Sequence, residues 1–328
     1  MATGFPLAFF RKPMTTELPL GSLLYRSRTT VKASTLDRAH SWTGIALELA
    51  ESMARRLTLP PVRLPHLPGT DPVEAARLTR SELGLAPDTP VRNLLNALER
   101  AGVIVLVMPF GMEGVDGFCF WSSAGPAVRR PMIVIPPSIL GDRLRLSVAH
   151  EVDHLVQHFP LVGSLPDAER DAYRFAAELL TPEVAMRREI RAPVTLTSLA
   201  PLKPRWGVSI QMLIRRSRDL GVVDDRSYAQ LNQQLSARGW KLREPEQLAV
   251  PVEKPRALRK MAELLYGSPL GSGEIARLAS DECLPRRFLE TLFDAYSTPA
   301  GALSKASQDE EAADRVVPFR IPQKHSLA

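Results

Sequence analysis

Ser147-Val148-Ala149-His150-Glu151-Val152-Asp153-His154-Leu155-Val156-Gln157-His158 holds three of the chain's six histidines within nine residues. Its lead-in, Leu144-Arg145-Leu146-Ser147-Val148-Ala149, has amphipathic spacing, so the stretch predicts a helix over 143–158, capped by Asp142 and stopped by Pro160. On such a helix, residues four apart share a face. His150 and His154 can then present two imidazoles to one ion. Glu151 sits roughly 100° around the helix, where its carboxylate reaches a water beside the ion but not the ion itself. A catalytic zinc takes three protein ligands and keeps a fourth position for water. The ion lowers the pKa of that water to about 7, and a neighbouring carboxylate takes its proton during attack on a carbonyl. The H-E-x-x-H spacing supplies two of the ligands and the base.

A third ligand is required, and the next predicted helix, 167–180, offers Asp167-Ala168-Glu169-Arg170-Asp171-Ala172-Tyr173. Glu169 follows His150 by nineteen residues, enough for the first helix to finish and the second to fold back. Glu169, Ala172, Tyr173, Ala176 and Leu180 fall on one face, so Glu169 can point inward with the packing side. Asp171 points elsewhere and is the lesser candidate. His158 lies two turns from His150 and reads as a packing residue or an outer hydrogen-bond partner of the site.

Outward from this pair, Val103–Met108, Gly117–Trp121 and Met132–Ile135 are β-branched or aromatic runs bounded by Gly and Pro. They predict a small antiparallel or mixed sheet. Before them, Asp71-Pro72 opens a helix closed at Gly84, and Thr89-Pro90 opens another ending near Gly102. A helix over 35–57 and a proline-rich connector at 59–69 precede those, and the connector marks a domain boundary. Beyond 181, Thr181-Pro182 restarts a helix to about Ile190. Trp206–Leu220 and Ser227–Ala237 form a helix pair joined across Gly221. Further helices fall near 255–266, 272–280 and 285–295. The expected architecture is α+β, with four parts: an N-terminal segment 1–69, a metal-binding domain 70–198, a helical C-terminal domain 199–300, and a disordered tail 301–328.

Composition bounds the rest. The chain has 328 residues, 45% of them apolar and 24% charged, which suits a soluble globular protein with a sizeable core. No apolar run approaches the roughly 18 residues that span a membrane, and Phe5–Phe10 is too short for a signal-peptide core, so the expected compartment is the cytoplasm. Cys119 and Cys283 are far apart and make no C-x-x-C, so the sequence predicts no cysteine metal site and no disulfide framework.

The stretch 147–158, together with Glu169-Arg170-Asp171-Ala172-Tyr173-Arg174-Phe175-Ala176-Ala177-Glu178-Leu179-Leu180-Thr181-Pro182, resembles the ImmA/IrrE family of metallo-endopeptidases. That family pairs an AHExGHxxxH helix with ExxANxFAxxLLMP. The resemblance spans about residues 70–245, since Trp206-Gly207-Val208-Ser209 and Leu235–Trp240 are similar to the family's C-terminal extension. It implies a zincin-like fold with a short sheet packed on the metal helix. It also implies one Zn2+ per chain, with Mn2+ as the alternative ion, held by His150, His154 and Glu169, and Glu151 as general base. The implied substrate is a helix-turn-helix regulator of the Xre type, or an antitoxin, in a stress response. Two positions depart from the pattern: Asp153 replaces the usual Gly, and Tyr173 replaces the usual Asn. Asp153 could orient a ligand or weaken the enzyme, and Tyr173 is a candidate oxyanion donor. Ala2–Phe10 resembles the end of the Xre-type module that precedes such domains, so the expectation is either a separately encoded regulator or a misplaced start.

Two other readings compete. Residues 200–243 hold nine basic residues against three acids, and Arg215, Arg216 and Arg218 on one helix could contact the phosphates of duplex DNA. That reading makes the chain a DNA-binding regulator with a structural metal. A third makes it a metal-binding interaction protein with little turnover. For an enzyme, the strand at Gly117–Trp121 could hold an extended substrate by strand addition.

Overall fold

The computed structural model describes residues 4–12, 33–110, 112, 115, 117–122, 129–137, 140–158 and 166–296. The tail 301–328 lies outside these, as do Ala2 and Thr3 of the N-terminal motif. In chain order the helices and strands are α1 (Ala33–Ala54), α2 (Pro72–Glu82), α3 (Leu94–Arg100), β1 (Ile104–Val107), β2 (Phe118–Trp121), β3 (Pro131–Ile135), α4 (Gly141–Gln157) and α5 (Pro166–Leu180). They continue with α6 (Glu183–Glu189), α7 (Leu196–Leu199), α8 (Leu202–Trp206), α9 (Ile210–Asp219), α10 (Asp225–Ala237), α11 (Ala257–Tyr266), α12 (Ser272–Glu282) and α13 (Arg286–Asp294). The protein is α+β, and its contacts divide it into two units, each discontinuous in sequence. One comprises 1–63, 98–137 and 254–328; the other comprises 64–97 and 138–253.

The first unit contains the sheet. β3 is central, parallel to β1 and antiparallel to β2, in the order β1-β3-β2. The sheet is therefore mixed, and β2 lies at an edge. All residues of β1 and β3 are buried, as expected of Val/Ile/Leu runs covered on both faces. Trp42, Phe110 and Phe288 stack with ring centroids 4.8–5.4 Å apart, which ties α1 to α13. Tyr296 accepts the Val107 N–H at 2.9 Å, and burial holds its phenol well above the usual tyrosine range. The buried Glu99 carboxylate accepts the Arg256 and Ala257 N–H groups at 2.9–3.0 Å and so satisfies the start of α11.

The second unit is built on α4, α5 and α2, with α4 against α5 the most extensive helix pair. Asp71 caps α2 as its position before Pro72 predicts, accepting from Val73 N at 2.9 Å and Glu74 N at 3.4 Å. Three sequence expectations are corrected here. Asp142 is not the N-cap of α4. The cap position is Leu140, without a side-chain bond; Asp142, two residues on, accepts the Arg143 N–H at 2.8 Å and also pairs with the buried Lys203, which meets Glu244 at 2.9 Å. Thr89-Pro90 does not open α3. Asn93 does, accepting from Asn96 N at 2.8 Å, while the Thr89 carbonyl accepts from Arg80 at 2.8 Å. The predicted helix Trp206–Leu220 is broken at Gly207, whose φ of +67° ends α8. A Cβ at Gly207 would lie 2.6 Å from Arg145 Nε, so the glycine permits a close approach as well as the turn.

Two buried arginines hold the end of α5. Arg80 donates to the Leu179 carbonyl at 2.5 Å, and Arg216 donates to the Thr181 carbonyl at 3.0 Å. Cations at a helix C-terminus satisfy its last carbonyls and complement its dipole. Burial depresses the Arg80 pKa to about 10, against the opposing pull of Glu178 and Asp88. With its far end fixed in this way, α5 presents Glu169, in its first turn, toward α4.

Candidate metal centre

From Ser147 to Gln157 every residue of α4 is buried, including His150, Glu151, Asp153, His154 and Gln157. The apolar positions Leu144, Val148, Val152, Leu155 and Val156 explain the burial. The polar ones need partners there. His150 and His154 turn their Nε2 atoms toward each other at 3.0 Å, with ring centroids 4.7 Å apart and planes at 73°. Glu169 closes the triangle from α5: Oε2 lies 3.3 Å from His150 Nε2 and Oε1 lies 3.4 Å from His154 Nε2. The two histidines and the glutamate thus offer donor atoms that all lie within 4.8 Å of one another.

The donor set fits a divalent ion. Two ligands each about 2.05 Å from a tetrahedral zinc are about 3.3 Å apart, and the three observed separations cluster around that value. Two imidazoles and one carboxylate are a borderline donor set that suits zinc. In the protein alone the imidazoles of His150 and then His154 drive the Glu169 carboxyl far below the usual carboxylate range, overcoming the opposing effect of its half-burial. For His154, burial opposes the charged ring, but the Glu169 hydrogen bond and the Glu151 and Asp153 charges outweigh it and raise its pKa.

The remaining sequence candidates are held by other partners. Glu151 is buried beside His150 on α4. Asp153 is fully buried and accepts from Gln157 Nε2 at 2.6 Å, while its other oxygen lies 3.3 Å from His158 Nε2. Gln157 is a residue that sequence reasoning passed over, though Asp–Gln at i, i+4 is a helix-face pair and could have marked it. Asp171 pairs with Arg174 on α5, and its oxygen lies 3.7 Å from that guanidinium. Tyr173 lies under the Arg215 guanidinium, 3.5 Å from ring centroid to Cζ, and burial pushes its phenol up to about 12. It stays a neutral O–H donor across the working pH range.

The arginine triplet is dispersed by the fold. Arg216 is inside the protein, paired with the buried Glu178 and the Thr181 carbonyl, and is not presented to a phosphate. Arg218 pairs with Asp225 at 2.7 Å and lies over the Tyr228 ring, and Arg215 covers Tyr173.

Residues 98–218 match the family described as IrrE N-terminal-like domain, a peptidase family; the match is shorter at both ends than the 70–245 span of the motif resemblance. It includes β1–β3, α4, α5 and all four residues of the H-E-x-x-H and Glu169 set. No curated protein matches the chain. Among the described residues, no helix is long and apolar enough to cross a membrane.

Proposed function

We propose, from the match of residues 98–218 to the IrrE N-terminal-like peptidase family, that the chain is an ImmA/IrrE-type zinc-dependent endopeptidase with a zincin-like centre on α4 and α5. The observation that carries this reading is the triangle of His150, His154 and Glu169, with edges of 3.0–3.4 Å. One zinc ion would be held by His150, His154 and Glu169, with Mn2+ as the alternative. When bound, the ion supplies Lewis-acid polarisation of a scissile carbonyl and acidifies a water at its open position.

The protein's own groups do the rest. Glu151, beside the first histidine and sequestered from bulk solvent, accepts the proton of the attacking water and delivers it to the leaving amine. Glu169 stays ionised at any working pH, because the imidazoles hold it so, and contributes one negative charge to the ligand set. Tyr173, one turn along α5 and held as the neutral phenol, is the candidate donor to the tetrahedral oxyanion.

The substrate in this reading is a helix-turn-helix regulator of the Xre type or an antitoxin, cut in the cytoplasm during a stress response. The test is direct. Zinc-loaded protein is incubated with a co-produced regulator of that class, and products are read by mass spectrometry beside Glu151→Gln. A single new cleavage with the wild type and none with the variant is expected. Identical product patterns for both would remove the peptidase reading. Sequestration of Arg216 weighs against duplex DNA as the main partner.

A further inference from the structure

A second set of metal-capable groups lies next to the first. Asp153, His154 and His158 also offer donor atoms that all lie within 4.8 Å of one another. Three atoms of this set are buried without a hydrogen-bond partner among the described residues: Asp153 Oδ2, His154 Nδ1 and His158 Nε2. Asp153 Oδ2 and His158 Nε2 face each other at 3.3 Å, too poorly aligned for a hydrogen bond. Buried polar atoms are almost always paired, so three orphans on three neighbouring metal-capable side chains call for an occupant.

The surroundings are those of a built site. Asp153 is fully buried, and Gln157 fixes one of its oxygens at 2.6 Å, which leaves the other aimed at the cluster. His154 directs Nε2 to His150 and Glu169, so Nδ1 is the nitrogen left over. A metal-ligating histidine ordinarily gives its second ring nitrogen to a carboxylate, a carbonyl or water. Here that nitrogen is an orphan, on a ring whose centroid lies 5.6 Å from that of His158. His158 stands at the C-terminal cap of α4 with 26% of its side chain exposed, although its Nε2 is buried.

We infer that Asp153, His158 and the outer nitrogen of His154 form a second cation site, separate from the proposed catalytic triangle but sharing His154 with it. Two imidazole nitrogens and one carboxylate oxygen suit Zn2+ or another borderline first-row divalent ion. With both sites filled, the His154 ring bridges them as imidazolate, and its ring proton passes to solvent. The charges are then compatible, since two divalent cations face the Glu169 and Asp153 carboxylates and one imidazolate. Asp153 is thus a ligand supplied by the departure from Gly at this position.

The inference is tested by metal counting on the full chain. Protein equilibrated in chelator-buffered Zn2+ is analysed by inductively coupled plasma mass spectrometry, with Co2+ titration followed by visible absorption. Wild type is expected to hold two equivalents. Asp153→Asn and His158→Gln should each hold one, and His150→Ala should also hold one. Circular dichroism checks that each variant is folded, and Asp153→Asn is near-isosteric should His158→Gln fail that check. One equivalent in wild type, kept by Asp153→Asn and His158→Gln but lost in His150→Ala, overturns the second site and leaves the proposed centre standing. Two equivalents in wild type that persist in both variants also overturn it, because the extra ion then sits elsewhere. One equivalent lost in His158→Gln but kept in His150→Ala upholds this site and overturns the catalytic reading. No bound metal in any protein overturns both.

Discussion

Replacing Arg216 with Ala separates a structural arginine from a nucleic-acid contact. Arg216 is 7% exposed and Glu178 is 2% exposed, and the two are in direct contact. Removing one partner of a buried ion pair leaves the other charge uncompensated and costs about 3–5 kcal/mol. Here the low end applies, because Glu178 keeps two other partners: Arg77 Nε at 3.0 Å and the Glu183 N–H at 3.1 Å. The Thr181 carbonyl also loses its donor at 3.0 Å, adding about 1 kcal/mol. The sum is about 3–4 kcal/mol. At about 2–4 °C per kcal/mol for a domain of 150–250 residues, this lowers Tm by roughly 6–16 °C. Arg218→Ala is the control. Its pair with Asp225 is solvent-exposed, so it costs about 0–1 kcal/mol. Thermal unfolding followed by circular dichroism gives both values, and salt-dependent binding to a duplex is measured alongside. A Tm for Arg216→Ala within about 2 °C of wild type, with a loss of duplex affinity, would refute the reasoning and revive the phosphate contact.

Other outcomes follow from the same geometry. Glu151→Gln should retain zinc yet lower kcat by about 10²–10⁴, the usual worth of a positioned base, measured as metal content and turnover on one preparation. Metal-free protein should be most stable to urea in an intermediate pH window. The depressed pKa of Glu169 gives stability that is present above its ordinary 4.5 and lost as pH falls below it, and the raised pKa of His154 gives stability that is present below 6.5 and lost as pH climbs through the raised value. Glu169→Gln should flatten both sides of that profile, and an unchanged profile would show that the triangle does not form without metal. Lys203→Met leaves the nearly buried Asp142 and Glu244 without their cation and should cost about 3 kcal/mol, read as a shift in the urea midpoint.

What the sequence disclosed is mostly what local rules govern. The i, i+4 spacing of His150 and His154 and the shared face of Glu169, Tyr173 and Ala176 are properties of single helices, so they were legible before any fold was known. The same is true of Asp71 before Pro72. What stayed hidden depends on long-range partners. Asp142 has the chemistry of a cap and takes the Arg143 N–H from inside the first turn, but its other oxygen goes to Lys203, sixty-one residues away. Thr89-Pro90 reads as a helix start, but the Arg80 guanidinium draws the Thr89 carbonyl into the end of the preceding turn. Arg215, Arg216 and Arg218 look like one basic face, yet the middle residue is turned inward by Glu178, on a helix far earlier in the chain. Charge counting reports composition, and burial decides which charges a partner can meet.

The composition of α4 itself argues for function over packing. Val148, Val152, Leu155 and Val156 suffice to bury this helix, yet His150, Glu151, Asp153, His154 and Gln157 are buried with them. A buried polar group that loses its partner costs about 1–3 kcal/mol, so five of them put at stake an amount comparable with the entire net stability of a domain, about 5–15 kcal/mol. A helix selected only to fill a core would carry apolar side chains at these positions. A surface helix that happened to hold histidines would leave them in water, and here His150 and His154 are each below 5% exposed. Violations of local rules concentrate where a site must be held in place. In α4 they fall on the face turned to Glu169 and, one turn further, on the face shared by Asp153 and His158. The folding cost of this helix is therefore confined to two adjoining clusters of metal-capable groups, and a cation in either one removes part of that cost by satisfying atoms that the protein alone leaves strained against each other.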